Sequence, residues 1–567
     1  MLRHKKTKSR PEGQTWIWLN AGAISLSIIL VVGLIGLISF KGLVHFWPKD
    51  VLLARYHAEN LMAKSFAAES IEVAGEVVDS KATLTTQLEA AGFTLNRTQT
   101  NYQRLLLKIG NRDLNGQDFV WLLEDWLAEI TYPENLVVIE RLEWGNFYGF
   151  ISAIHTEGNS IRATEPEQIK QAWPQLQERL AQIESVRAQI KTLEKHKIGK
   201  INYQLEQLRL EEKSAKLNGK LTPEKQQQIQ QEQQKLDHQY QEAIKQLNTL
   251  RNLIVEDKIE VVTARGESKT IALHQIVRLY RPNAMSFWQK LKLYFTKLGE
   301  FITQDPREAN TEGGIFPAIF GTMLMVILMS VLVTPLGVIA AIYLHEYTRG
   351  GFISRLVRIA VNNLAGVPSV VYGIFGLGFF VYFVGANIDK VFYAEALPTP
   401  TFGTPGLLWA SLTLAILTIP VVIVSTEEGL ARVPKAIREG GLALGATKAE
   451  VLWRLIIPMA SPGIMTGIIL AIARAAGEVA PLMLVGAVKL APNLALDSNP
   501  PYLHLDRKFM HLGFHIYDVG FQSPNVEATR PLVYTTALLL ILIIIVLNLA
   551  AVTIRNRLRE KYKVLES

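Results

Sequence analysis

A polytopic helical membrane protein, crossing six times and carrying one large water-exposed insert between helices 1 and 2, is the fold class that three observations predict. Polar and charged residues concentrate between about 49 and 312 of the 567 residues, although 49% of the whole chain is hydrophobic. The rest is broken into apolar runs too long for a soluble core. Lys and Arg gather at the ends of those runs, as they do where a membrane protein fixes its orientation, so the net charge of +8 requires no nucleic acid as a partner. The chain has no cysteine. That excludes disulfides, Cys-ligated zinc, iron–sulfur clusters and thiol catalysis, and leaves the compartment of the insert open.

The six windows are 16–40, 315–342, 359–386, 406–426, 459–488 and 531–554. Each can span about 30 Å of hydrocarbon at roughly 1.5 Å per helical residue. Arg3, Lys5, Lys6, Lys8 and Arg10 precede the first window, which is longer than a secretory apolar core and is followed by no small-residue cleavage site. It reads as an uncleaved signal anchor behind a cytoplasmic basic tail, 1–15. Arg555, Arg557, Arg559, Lys561 and Lys563 crowd the end of the last helix, giving a second cytoplasmic basic tail at 555–567. Segment 345–358 carries Arg349, Arg355 and Arg358, whereas 387–405 has only Lys390 among the bases. This alternation places both termini inside and the 41–314 insert outside, in a periplasm where the cell has two membranes.

Within the insert, 51–160 reads as a small mixed α/β domain. A strand at 102–109 leads through turns at Gly110-Asn111-Arg112-Asp113 and Asn115-Gly116 to a strand or helix at 119–123. Segments 136–142 and 147–154 form a hairpin about Trp144-Gly145-Asn146. In 165–254, Gln, Glu, Lys and Leu dominate and apolar residues recur at steps of three and four. One half is seamed by Ile169, Trp173, Leu176, Leu180 and Ile183, then, after a slip, by Ile198, Ile201, Leu205 and Leu208. The other half is seamed by Ile229, Leu236, Tyr240, Ala243, Leu247, Leu250 and Ile254. Asn218-Gly219 breaks the pattern and Thr222-Pro223-Glu224 restarts it. The economical structure is an antiparallel coiled-coil hairpin, serving as a polar spacer or a docking arm. Segment 258–283 reads as a further β-hairpin about Arg265-Gly266-Glu267. In 284–303, Phe287, Trp288, Leu291, Tyr294, Phe295, Leu298 and Ile302 interleave with Lys290, Lys292 and Lys297, as in a helix lying at the outer membrane surface.

Enzyme chemistry finds no support. No phosphate-binding G-x-x-x-x-G-K-[ST] loop occurs, His345-Glu346 lacks the second His of a zinc-protease helix, and the other histidines show no ligand spacing. Neither a metal nor a cofactor is expected on this chain.

The most informative stretch lies between windows four and five: Arg438-Glu439-Gly440-Gly441-Leu442-Ala443-Leu444-Gly445-Ala446-Thr447, then Leu455-Ile456-Ile457-Pro458. A short amphipathic helix, a Gly permitting a sharp turn, and a second helix stopped by Pro458 would make a knob on the inner face. It resembles the coupling loop of ABC importer permeases, E-A-A-x-x-x-G followed by I-x-L-P, with Gly440-Gly441 in place of the alanines and Leu455 and Ile457 in place of the Ile and Leu. Segments 312–322, 342–347, 364–373 and 471–482, the last ending Ala480-Pro481-Leu482, are similar to the PstA family, permeases of the phosphate-specific ABC importers. The resemblance covers 305–567 well, 1–50 loosely and most of the insert not at all. It implies a permease of six helices in the bacterial inner membrane, with phosphate as cargo. Its implied partners are a PstC-like sister permease, an ATPase subunit dimer holding ATP and Mg, and a periplasmic phosphate-binding protein.

Beside the resemblance stands a physical case. Arg474 and Glu478 are the only charged side chains in the six windows, four residues apart and so on one helical face. Buried in a bilayer they should face the bundle interior and one another, and a guanidinium suits phosphate oxygens and keeps its charge. The pair reads as a substrate path or as a structural ion pair. Ser369 and Tyr372 are candidate neutral donors to an oxyanion behind Pro368, while Gly366, Gly373, Gly376 and Gly378 suit close helix packing. Two other functions stay open: a permease for another oxyanion such as sulfate or molybdate, and a membrane receptor with an external sensor domain.

Overall fold

The computed structural model describes residues 14–56, 71–90, 100–156, 159–162, 166–307, 310–348, 351–523 and 526–562. Arg3, Lys5, Lys6, Lys8 and Arg10, Arg349, Lys563, and the side chains of Ile169 and Lys561 lie outside the described residues. Among those described, six helices are long and apolar enough to cross a membrane: Trp16–Phe46, Phe316–Tyr347, Ser369–Phe392, Leu407–Ala431, Lys448–Gly477 and Val526–Arg557. The fourth is the axis of the bundle, with 67% of its apolar window buried, and the first is peripheral, with none. Small residues set the spacing. A Cβ on Gly463 would lie 2.6 Å from Gly429 Cα, and one on Gly42 would lie 2.9 Å from Thr535 N. Side chains larger than hydrogen at these crossings would force the helices apart. Thr535 Oγ1 also donates to Gly42 O at 2.8 Å, seating the first helix on the sixth.

Two windows break where hydropathy is continuous. The third is not one crossing from 359: residues Phe352–Leu364 form a separate amphipathic helix, and the crossing starts at Ser369 behind an extended Pro368. Pro368 has no N–H and disfavours helical backbone before it, so the chain turns at 365–368. The fifth window begins earlier and ends earlier than 459–488, running Lys448–Gly477, with Ala480–Val485 as a distinct short helix. Nor does Pro458 stop a helix. It sits in the first turn of Ile457–Gly477, which continues from Lys448 through a widened turn at Leu452–Ile456. A widened turn shifts the carbonyls that a proline ring would otherwise strike.

Among the described residues the insert holds two large antiparallel sheets and a small ribbon pairing Pro306–Arg307 with Glu312–Gly313, and the expected boundaries at 160 and 258 separate strands of one large sheet. The first comprises β1 (Val51–Tyr56), β2 (Ile71–Leu84), β3 (Asn101–Lys108), β4 (Phe119–Leu123) and β5 (Leu127–Thr131), in the order β4-β3-β2-β1-β5. The second comprises β6 (Val137–Arg141), β7 (Phe147–Thr156), β8 (Asn159–Arg162), β9 (Lys258–Val262), β10 (Ser268–Ala272) and β11 (Ile276–Tyr280), in the order β10-β9-β7-β6-β11 with β8 on β7. β9 and β10 form the hairpin expected at 258–283, and β9 pairs with β7 from Phe150↔Val262 to His155↔Lys258. The helical hairpin is therefore inserted between strands of a single sheet.

Its first arm runs Pro166–Thr192, then a π-type turn Leu193–Ile198, then Gly199–Leu217; the second arm is Pro223–Val255. The extra residue of the π-type turn is the physical form of the slip in the apolar seam. Leu176, Leu180 and Ile183 pack on the sheet with Val137, Phe147 and Ile151, and farther out Ile201 packs with Leu236 and Ala243 of the second arm. Gly219 at φ +65° closes the first arm, and Thr222 caps the second, accepting from Lys225 N at 3.3 Å. The hairpin lies down on loops between the crossings and on the segment before the second: Tyr203 Oη donates to Pro500 O, Lys213 Nζ donates to Leu397 O, and Lys191 pairs with Asp305 at 2.8 Å.

The surface helix expected at 284–303 runs Phe287–Thr303 behind a Ser286–Gln289 capping box, burying Leu293 and Phe301 and exposing Phe287, Trp288 and Phe295. It is tied to the second sheet by a half-buried charge network. Glu140 of β6 meets Lys297 at 2.7 Å and Arg278 of β11 at 3.3 Å. Burial alone would raise the Glu140 carboxyl, but these two cations outweigh it and hold it at about 2. A folded-state value below the ordinary 4.5 stabilises the fold above that pH, and the contribution is lost as pH falls toward 2. The thermal midpoint of the full chain should therefore drop between pH 5 and pH 3, by an amount equivalent to at most roughly 3 kcal/mol. Glu140→Gln should flatten that part of the profile, and an unchanged slope would count against the network's role.

Candidate functional site

The knob between the fourth and fifth crossings is built by two helix caps in succession. Its first helix, Lys435–Ala443, ends in a left-handed Gly445 at φ +86°. Gly445 N donates to Leu442 O at 3.0 Å and Ala446 N donates back to Gly441 O at 3.3 Å, the paired bonds of a Schellman ending. Thr447 then starts the next helix with a reciprocal cap, its N–H donating to Glu450 Oε2 at 2.9 Å and its Oγ1 accepting from Glu450 N. The turn direction is thus fixed by backbone bonds. Beneath it, Val451, Leu452 and Ile456 pack with Leu430 and Val433.

A charged clasp holds the knob to the C-terminal end of the second crossing. Arg438 pairs with Glu346 at 3.3 Å and also donates to Leu430 O, while His345 Nδ1 lies 3.1 Å from the same carboxylate. Lys448 donates to Glu346 O at 2.5 Å and stands 4.3 Å over the Tyr347 ring. Sequence reasoning treated His345-Glu346 as a failed metal motif and missed both the clasp and Lys448. An acid placed just before the Arg residues of the loop after the second crossing was the available signal. What the clasp leaves outward is Glu439 and the apolar tip, with Leu444 90% exposed and Leu442 about half exposed.

The two glycines standing in the alanine positions differ. A Cβ on Gly440 meets nothing, whereas one on Gly441 would lie 2.9 Å from Val451 Cγ2. Gly440→Ala should stabilise the first knob helix by about 1 kcal/mol. Gly441→Ala should lose that gain against Val451. Hydrogen-exchange protection of 435–443 in the two variants checks the contrast, and equal protection would contradict it.

At the C-terminal end of the fifth crossing, Arg474 lies in the last helical turn and its Nε is 3.7 Å from Glu478 Oε1. Glu478 does not share a helical face with it, as the spacing predicted. The helix ends at Gly477, and Glu478 is its extended cap at φ −79°, ψ 130°. Arg474 is a third exposed and Glu478 a fifth. The pair is therefore loosely held and partly open, and the carboxylate is on the short link between the end of one helix at Gly477 and the start of the next at Ala480.

The third crossing is brought against this turn: a Cβ on Gly373 would lie 2.7 Å from Pro481 Cα, and one on Gly376 would overlap Thr413. Those two glycines serve close packing, while Gly378 faces open space and Gly366 lies in the turn before Pro368. Ser369 opens the helix and is half-buried. Tyr372 Oη donates to Leu364 O at 2.6 Å, which commits its proton to bracing the 365–368 break and leaves its oxygen as an acceptor. Among the described residues, no group of three or more His, Asp or Glu is placed to hold a metal ion.

Residues 333–563 match the family described as binding-protein-dependent transport system inner membrane component. The chain is 33% identical over 243 residues to the phosphate transport system permease protein PstA 1 of Mycobacterium tuberculosis, covering 43% of this chain and 71% of that one. To the phosphate transport system permease protein PstA of Mycobacterium leprae it is 38% identical over 175 residues, covering 31% and 52%. The chain spans from about half to about eight tenths of the length of the curated relatives it matches. Among solved structures, an inward-facing MetNI methionine ABC transporter aligns at 18% identity and TM-score 0.31, over 42% of this chain and 94% of that one. A bacterial ABC transporter for alginate aligns at 14% and TM-score 0.33, over 46% and 83%. With six crossings, the knob between the fourth and fifth and the matched stretch 333–563, the chain belongs to the binding-protein-dependent transport system inner membrane component family, among its PstA-type permeases.

Proposed function

We propose that the chain is the permease subunit of an ATP-driven importer for inorganic phosphate. In this reading both termini lie inside, the knob seats in an ATPase subunit dimer that carries ATP and Mg, a PstC-like permease completes the path, and a phosphate-binding protein delivers cargo outside. The chain itself hydrolyses nothing and binds no cofactor.

The observation that carries the cargo is Arg474, a guanidinium held only loosely by a carboxylate at 3.7 Å. A phosphate oxygen can replace Glu478 as its partner, and Glu478 can take the Arg back once the anion leaves. Relatives named as phosphate permeases support the same cargo. Sulfate and molybdate would also satisfy a guanidinium, so the identity of the anion is the point to test. A receptor reading leaves the clasped knob without a purpose.

The experiment is to purify the assembly with its ATPase and binding protein and add phosphate, sulfate and molybdate in turn. ATP hydrolysis should rise with phosphate alone. A rise with sulfate or molybdate and not phosphate would replace the cargo, and no response to any anion would remove the importer reading.

A further inference from the structure

A cavity of about 860 Å³ lies at the root of the insert, between the outer ends of the first and sixth crossings, the surface helix and the sheets. Its lining is rich in charge, and most of that charge is matched in place. Lys108 meets Glu312 at 3.1 Å, and Glu140 is saturated by Lys297 and Arg278.

Among the described residues, three cations on this wall make no direct ion pair with a carboxylate, although the Arg307 charge acts on Glu140 from farther off. Lys49 spends its ammonium on main-chain carbonyls, Val77 O at 2.8 Å and Val78 O at 3.3 Å. Lys41 stands 5.7 Å over the Tyr534 ring. Arg307 is the decisive group: its Nε and Nη1 are buried and have no hydrogen-bond partner among the described residues. Two carboxylates of the wall are turned to other donors, Glu76 accepting from Tyr148 Oη at 3.2 Å and Asp79 from Ser80 N at 2.9 Å. Buried guanidinium donors left without an acceptor are disfavoured, and the group that satisfies them best is an anion with several oxygens.

The setting narrows the anion further. The cavity wall includes Phe40 and Val44, which are exposed on the outer part of the first crossing, and Trp47, which packs 5.7 Å from Phe287 of the surface helix. Aromatic side chains and a surface helix mark headgroup depth. We propose that this cavity is a phosphate-group site, separate from the Arg474 path, with Arg307 and Lys49 as its ligands and either a phospholipid headgroup or free orthophosphate as its occupant. It joins the insert to the bundle through that occupant, and it stands whether or not phosphate is the transported cargo.

The test uses the full chain carrying Arg474→Gln, so that the path contributes no anion binding. Thermal unfolding in detergent is followed with orthophosphate, with short-chain phosphatidylglycerol, and with chloride at equal ionic strength. A rise in midpoint with phosphate or with the lipid, beyond chloride, is expected and identifies which source fills the site. Arg307→Gln should weaken the apparent affinity for that probe by roughly tenfold or more. Lys49→Gln should weaken it in the same direction and serves as the second test if Arg307→Gln fails to fold. The proposal is overturned if neither probe exceeds chloride, or if the full shift survives in the folded variants.

Discussion

Arg474→Gln is expected to abolish phosphate uptake while the assembly still forms. The side chain is a third exposed at a helix end and its one ion pair there is 3.7 Å long, so it contributes little to folding. Its removal also leaves Glu478 without that partner in a low-dielectric region, where a carboxylate repels an approaching anion. Both effects act on the anion, so the loss should exceed a hundredfold, on the order of 3 kcal/mol or more for a charge-assisted contact. Arg474→Lys keeps the charge and should retain part of the uptake, with weaker selection among oxyanions because the ammonium is a point charge. Normal transport by Arg474→Gln in a folded assembly would discard the path and leave a structural ion pair.

The second large effect is expected at the knob. Leu444→Asp places a charge on a side chain that is 90% exposed, so the permease itself should fold normally. If the tip is buried in a partner's cleft, a carboxylate there is desolvated without compensation, a penalty of several kcal/mol. The ATPase subunits should then be lost on purification, or stay and hydrolyse ATP without moving anion. Arg438→Ala is the complementary variant. It breaks the clasp to Glu346 and should loosen the knob while leaving Leu444 in place, giving a partial defect. Full ATP-driven uptake by Leu444→Asp would separate the knob from any motor.

Which parts of this were legible from the sequence follows from what each signal measures. Long uncharged windows reported the six crossings because hydrocarbon thickness alone sets their length. The same windows could not report the breaks at 365–368 and after Gly477, since hydropathy is blind to backbone direction; the markers there were Gly366, Pro368, Gly477 and Pro481. The spacing of Arg474 and Glu478 assumed one continuous helix and failed for that reason. In the insert, local hairpins were readable, but the pairing of β7 with β9 spans the whole helical hairpin, and no local pattern encodes a partner that distant. The slip in the apolar seam was visible as a defect and became a π-type turn at Leu193–Ile198. At the knob, spacing carried the turn and its glycine, whereas Glu346 came from an element a hundred residues earlier in the chain. Proximity of that kind is created by packing.

Accumulation of labelled phosphate in vesicles holding the complete assembly bears most directly on the assignment. With ATP on the knob side and the binding protein on the insert side, phosphate should build up against its gradient and vanish from the lumen record in Arg474→Gln. Sulfate and molybdate should stay out. Phosphate entry that ignores ATP, or that proceeds equally well in the Arg474→Gln assembly, would contradict an ATP-driven path past this guanidinium.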